Sequence, residues 1–254
     1  MSGHSKWSTI KHKKGAADAK RSKVFTKVIK EITVAARMGG DDPDANPRLR
    51  SAIALAKSVN MPNDNVSKAI KKGVGGDKGE NWENLIYEGY GPNNVAVIVE
   101  CLTDNKNRTI SSIRTVFGKN NGNIGATNSV LYMFDRKGII EIDKSTIDED
   151  TLTEYVLDAG AEDIDTTDES LFTVETAPGE LAKVHQYLED KKVEIKKSVL
   201  DLIPQNKVVI EDATKASQVI RFIEALEDND DVQNVYSNFD ISESVLSELE
   251  ELND

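Results

Sequence analysis

The chain has 254 residues, room for two or three compact domains, and its single cysteine, Cys101, excludes a disulfide framework. No apolar run approaches the roughly 20 residues that cross a bilayer, and residues 1–6 lack the apolar segment of a secretory signal, so a cytoplasmic protein with no membrane partner is expected. The formal net charge of −12 argues against a polyanion partner only as an average: residues 1–78 hold 17 Lys/Arg and 7 Asp/Glu, a net of +10, whereas residues 79–254 hold 15 and 37, a net of −22.

In chain order, residues 1–14 read as a basic arm. Lys6, Lys11, Lys13, Lys14, His4 and His12 surround Trp7. Cations with reach beside an indole suit a phosphate backbone, with the ring either stacked on a base or packing the arm onto the body. From 16 to 38 the pattern predicts a helix. Val24, Phe25, Val28, Ile29, Ile32 and Ala36 form its apolar stripe. Lys20, Lys23, Lys27 and Lys30 recur on the opposite face, and Asp18 and Glu31 are the only carboxylates before Asp41. Solvated faces usually mix signs, so this ladder of lysines points to polyanion contact.

Residues 39–43 end that helix. Asn46 is a suitable N-cap and Pro47 a suitable first residue for a second, whose stripe is Leu49, Ala52, Ile53, Ala56 and Val59, with Arg48, Arg50 and Lys57 elsewhere. Met61-Pro62 breaks it. A third short helix buries Val66, Ala69 and Ile70 and exposes Lys68, Lys71 and Lys72, with Gly73 as its expected C-terminal cap. Residues 73–79 read as a flexible linker; they lack the glycine spacing of a dinucleotide fingerprint and the Lys-Ser/Thr ending of a phosphate loop.

The acidic remainder mixes strands and helices. Strands are expected over 85–90 and 95–102 with a turn at 91–94, then a helix burying Ile110, Ile113, Val116 and Phe117. Two further strands, 129–134 and 138–142, are expected to be joined by the turn 135–138. Helices over 148–159, 178–190 and 213–227 alternate with strands over 171–176, 193–202, 208–210 and 232–238. The tail, 242–254, reads as acidic and frayed or weakly helical. This order suits two ferredoxin-like α+β units.

No catalytic or metal-binding set converges. His4, His12 and His185 are too scattered to form one with Cys101, which lies in the most apolar strand. Asp148-Glu149-Asp150 suits a helix start, and Asp228-Asn229-Asp230-Asp231 lacks the glycine and closing glutamate of a calcium loop. The expectation is therefore a non-enzyme without cofactor, metal or small-molecule substrate. The polar stretch 104–109, with Arg108, reads equally as a functional loop and as a helix cap.

Several strings together resemble one family. These are Gly3-His4-Ser5-Lys6-Trp7, Ile10-Lys11-His12-Lys13, Asp18-Ala19-Lys20-Arg21, Phe25-Thr26-Lys27, Asn46-Pro47-Arg48-Leu49-Arg50, Tyr87-Glu88-Gly89-Tyr90-Gly91-Pro92 and the run from Glu100 to Thr109. The sequence is similar to the YebC/PmpR family from Ser2 to about Asp240, which leaves no room for a presequence like that of the eukaryotic relatives. The resemblance implies an α+β protein of three domains: a basic helical domain over 1–78, a discontinuous α+β domain over 79–136 plus 205–240, an inserted α+β domain over 137–204, and an acidic tail over 241–254. It also implies a DNA-binding transcriptional regulator or, alternatively, a ribosome-associated translation factor that binds ribosomal RNA and relieves stalling on proline-rich stretches. The candidate phosphate contacts are the cations of the arm with Lys20, Arg21, Lys23, Lys27 and Lys30. Arg48, Arg50 and Arg108 are the candidates for bidentate or stacking contacts.

Overall fold

The structure, a computed structural model, describes residues 17–75 and 82–251. Residues 133–205 form one compact unit, and the chain on either side of them forms a second. Among the described residues no helix is long and apolar enough to cross a membrane.

The second unit begins with three helices, α1 (Ala17–Gly39), α2 (Pro47–Ser58) and α3 (Asn63–Gly75). Their shared core holds Val28, Ile32, Ala35, Ala36, Leu49, Ala52, Ala56, Met61 and Ala69. Gly40, at φ +89°, turns the chain out of α1. Asn46 then does three things at once. Its carboxamide oxygen accepts from Leu49 N as the N-cap of α2, and its amide donates to the carbonyls of Ala35 and Gly40. Gly73 does not cap α3 as expected but lies buried inside it. A Cβ at Gly73 would sit against the Thr33 carbonyl and 2.8 Å from the Ala36 methyl, so the missing side chain is what lets α1 and α3 cross closely.

The same unit continues with β1 (Glu83–Tyr90), β2 (Ala96–Thr103), α4 (Lys106–Lys119) and β3 (Asn123–Ile124). β1 and β2 pair antiparallel along their full length, Glu83↔Thr103 to Tyr90↔Ala96. The buried Glu88 carboxylate accepts from the backbone N–H groups of Asn128, Val130 and Leu131, which fastens the segment leading out of this unit.

The intervening compact unit comprises β4 (Phe134–Asp143), α5 (Glu149–Ala159), β5 (Asp163–Asp165), β6 (Leu171–Thr176), α6 (Leu181–Asp190) and β7 (Ile195–Pro204). Its antiparallel sheet has the order β5-β6-β4-β7, the β-α-β-β-α-β ferredoxin-like arrangement. Ile140, Ile142, Phe172 and Val174 face Leu152, Val156, Val184 and Leu188 from the two helices. Asp148 caps α5 through Thr151 N. The expected turn at 135–138 does not form. Those residues continue β4, because each pairs with β7, from Asp135↔Ile203 to Gly138↔Leu200.

After it the chain returns to the first sheet through β8 (Val208–Ile210), α7 (Ala213–Glu227), β9 (Val232–Ser237), β10 (Phe239–Ile241) and α8 (Glu243–Glu251). The sheet order is β3-β1-β2-β9, with β2 central and β9 antiparallel to it. β8 and β10 pair separately, in parallel. Val97, Val99 and Cys101 of β2 pack against Ile113 and Phe117 of α4 and Val219, Phe222 and Leu226 of α7. The rings of Phe117 and Phe222 meet edge to face at 4.9 Å. The tail, expected to be frayed or weakly helical, forms α8. Val245, Leu246 and Leu249 fall on one side of it and complete this core, and Glu248 between them is exposed on the outer face.

Gly73→Ala is expected to lower the unfolding free energy by about 1–3 kcal/mol, the usual cost of forcing extra atoms into a close-packed crossing, as measured by urea denaturation.

Candidate nucleic-acid interface

The lysines of α1 do line one side of the helix, but that side is covered. The acidic segment between α7 and β9 lies against it. Lys23 Nζ pairs with Asp228 Oδ1 at 2.7 Å, Lys27 Nζ donates to the Glu227 carbonyl at 2.8 Å, and Lys30 Nζ pairs with Asp231 Oδ1 at 2.9 Å while also donating to the Asp230 carbonyl. Lys30 further lies 5.0 Å over the Trp82 ring. The side chains of Lys30 and Asp231 are only 13% and 8% exposed, so this pair is the buried end of the contact; Lys23 and Asp228, at 46% and 68%, are its rim.

Asp231 has further partners. Arg108, in the first turn of α4, places Nη2 at 3.0 and 2.9 Å from its two carboxylate oxygens and Nε at 3.2 Å. Thr109 Oγ1 donates to it at 2.8 Å, and the Asp231 carbonyl accepts from Leu102 N. Burial alone would raise the Asp231 pKa, but hydrogen bonds from Lys30, Thr109 and Arg108 outweigh it and hold the carboxyl below its ordinary range. Asn105 caps α4 by accepting from Arg108 N. The stretch 104–109 is thus a helix cap whose arginine, itself exposed, is bonded to Asp231 and also to Asp104, the latter at 2.8 Å.

The other candidates separate. Arg48 grips Glu31 with two nitrogens, at 2.6 and 3.0 Å, and reaches Asn84 with the second of them; the Glu31 hydrogen bond raises its pKa. Arg50 is exposed and donates to the carbonyls of Pro43 and Asp44. Arg21 lies 5.3 Å over the Phe25 ring. Lys20 belongs to α1, and Lys6, Trp7, Lys11, His12, Lys13 and Lys14 lie outside the described residues. Arg48 and Arg108 therefore spend their paired donors on carboxylates of the protein itself.

What stays open lies on α2 and α3. Lys57, Lys68, Lys71 and Lys72 are exposed, and none makes a hydrogen bond or ion pair to a described residue. Lys68, Lys71 and Lys72 are three and four residues apart and share one face of α3, opposite the buried Ala69 and Gly73. The signal that singled out α1 is present here too: lysines at helical spacing, with Asp64 the only acid in the helix. Among the described residues no cluster of three or more His, Cys, Asp or Glu side chains is placed to hold a metal. Cys101 is buried, and desolvation pushes its thiol up to about 12.

Fold and surface together define a three-part α+β protein with a cationic helical head. Residues 5–76 match the TACO1/YebC protein N-terminal domain, and residues 82–239 match the TACO1/YebC second and third domain. The chain belongs to the TACO1/YebC family. A protein of Desulfotalea psychrophila is 55% identical over 251 residues, spanning 99% of this chain and 100% of its own. One of Desulforapulum autotrophicum is 56% identical over 250 residues, 98% of this chain and 100% of its own. Both are named probable transcriptional regulatory proteins. The crystal structure of a conserved hypothetical protein from Aquifex aeolicus matches with a TM-score of 0.80 at 47% identity, covering 89% of this chain and 93% of that one.

Two outcomes follow for the buried groups. Asp231→Ala is expected to cost about 3–5 kcal/mol at pH 7, since it leaves Lys30 and Arg108 facing a lost partner. A carboxyl held below its ordinary range stabilises the fold fully above about pH 4 and loses that contribution as pH falls through its folded-state value, so urea titrations of the two proteins should converge below that point. Cys101 should resist a thiol reagent at pH 8 in the native protein and react on denaturation, and Cys101→Ser should leave polyanion binding intact.

Proposed function

We propose that the protein is a nucleic-acid-binding regulator of gene expression, acting on transcription, that holds DNA through phosphate contacts from its helical domain. The observation that carries this reading is the set of exposed lysines on α2 and α3 that make no ion pair with a described residue, Lys57, Lys68, Lys71 and Lys72, within a region of net charge +10. Lysines are point charges on flexible stems; they fix position on a backbone without reading bases. The basic arm, with Lys6, Lys11, Lys13 and Lys14, extends the same charge along the chain. The names carried by the relatives support the transcriptional assignment. We read the protein as a binder with no catalytic role, in the cytoplasm, where a lone buried thiol is at home.

A two-point grip reaching ribosomal RNA through Arg108 would draw on a guanidinium whose Nε and Nη2 are already bonded to Asp231 and Asp104. The reading therefore rests on the helical domain alone.

The test is Lys68→Glu, Lys71→Glu and Lys72→Glu combined in the full chain, with affinity for a duplex DNA measured across salt concentration. Binding should weaken more than about tenfold at low salt, and the log–log salt slope should fall by about 2–3, at roughly 0.9 per duplex phosphate contact. Unchanged affinity and slope would remove the phosphate face. Crosslinking in cells then identifies the target: promoter DNA is expected, and recovery of ribosomal RNA alone would overturn the transcriptional part.

A further inference from the structure

The face of α1 that looks most like a phosphate grip is occupied from within. Lys23, Lys27 and Lys30 meet the end of α7 and the loop after it, from Glu227 to Asp231, and every one of their hydrogen bonds there ends on an oxygen, either a carboxylate of Asp228 or Asp231 or a backbone carbonyl. A run of oxygens at the spacing of a lysine ladder is also what a nucleic-acid backbone offers. The two ends of the contact differ in kind. Lys30 and Asp231 are buried and tied into α4 through Arg108 and Thr109. Lys23 and Asp228 are exposed, and the Asp228 side chain makes no other hydrogen bond or ion pair with a described residue. An exposed ion pair contributes little and is screened by salt, whereas the buried one is not exchanged without leaving charges unmatched.

We propose that the segment from Glu227 to Asp231 is an internal phosphate mimic, a clasp that nucleic acid displaces at its rim while Lys30 and Asp231 hold as the pivot. Lys23 and Lys27 then exchange protein oxygens for phosphate oxygens. The clasp is an autoinhibitory contact. Being covalently attached, it competes at high effective concentration, so a weak or brief polyanion encounter does not open it. A target held at the same time by Lys68, Lys71 and Lys72 does. This deepens the assignment above and rests on the helical domain being the nucleic-acid grip.

Asp228→Asn and Asp230→Asn, each in the full chain, separate the contact from the charge. Both remove one negative charge from the same loop, but only Asp228 touches α1 through its side chain. Asp228→Asn should bind duplex DNA about three- to tenfold more tightly than Asp230→Asn, with the difference fading at high salt. In the wild type, saturating DNA should speed amide exchange at Asp228 and Asn229, whose N–H groups bond back to Glu224 and Leu226. Equal affinities of the two variants, or exchange unchanged on saturation, would overturn the clasp. If those results came with binding that still depends on Lys68, Lys71 and Lys72, the phosphate face would stand without the clasp. If the triple glutamate variant bound like the wild type, the function assigned above would fall first.

Discussion

The carboxylate of Asp231 is the constraint on which the helical head and the sheet depend together. It is buried, and a buried charge is tolerated only when it is matched on several sides. Here Lys30 comes from α1 and Arg108 and Thr109 from α4, while the backbone of the same residue bonds to β2 through Leu102. Removing the carboxylate would leave Lys30 and Arg108 without their shared counter-ion. The helical head is therefore not a bead on a flexible string, whatever the glycines between it and the sheet suggest. The Asp231 site gives the head a fixed seat, and the seat determines which lysines remain available to solvent.

Local chemistry was legible in the sequence. Asn46 and Asp148 cap helices as their residue type and position suggested, and the Val-Ile-Val run of β2 is the central strand. Short-range signals of this kind need only neighbours in the chain. The misses all depend on distant partners. Gly73 looks like a cap until α1 is laid across it. Residues 135–138 look like a turn until β7 pairs with them.

The candidate site shows the same division. The spacing of Lys23, Lys27 and Lys30 correctly placed them together on one side of a helix. What lay opposite could not be read, because their partners are 200 or more residues away in sequence. Net charge misled in a related way. A total of −22 beyond residue 78 suggests general repulsion of polyanions, yet the Glu227-to-Asp231 stretch acts locally, by attraction to the basic head. Arg48 and Arg108 were singled out for bidentate geometry, and both use it, but toward Glu31 and Asp231.

The interruption of the sheet by the inserted unit has a consequence for the order in which the molecule is made. Arg108 and Asp231 are separated by 123 residues, and the whole of the inserted unit lies between them. At about 5–20 residues per second, Arg108 leaves the ribosome roughly 6–25 s ahead of its counter-ion. During that interval β2 has β1 beside it but not β9, and the lysines of α1 lack the Glu227-to-Asp231 segment. The inserted unit, continuous in sequence and with its own core, completes itself first. The nascent protein is thus least closed while still attached to the machinery that makes it, and only the arrival of its last quarter covers the lysines of α1.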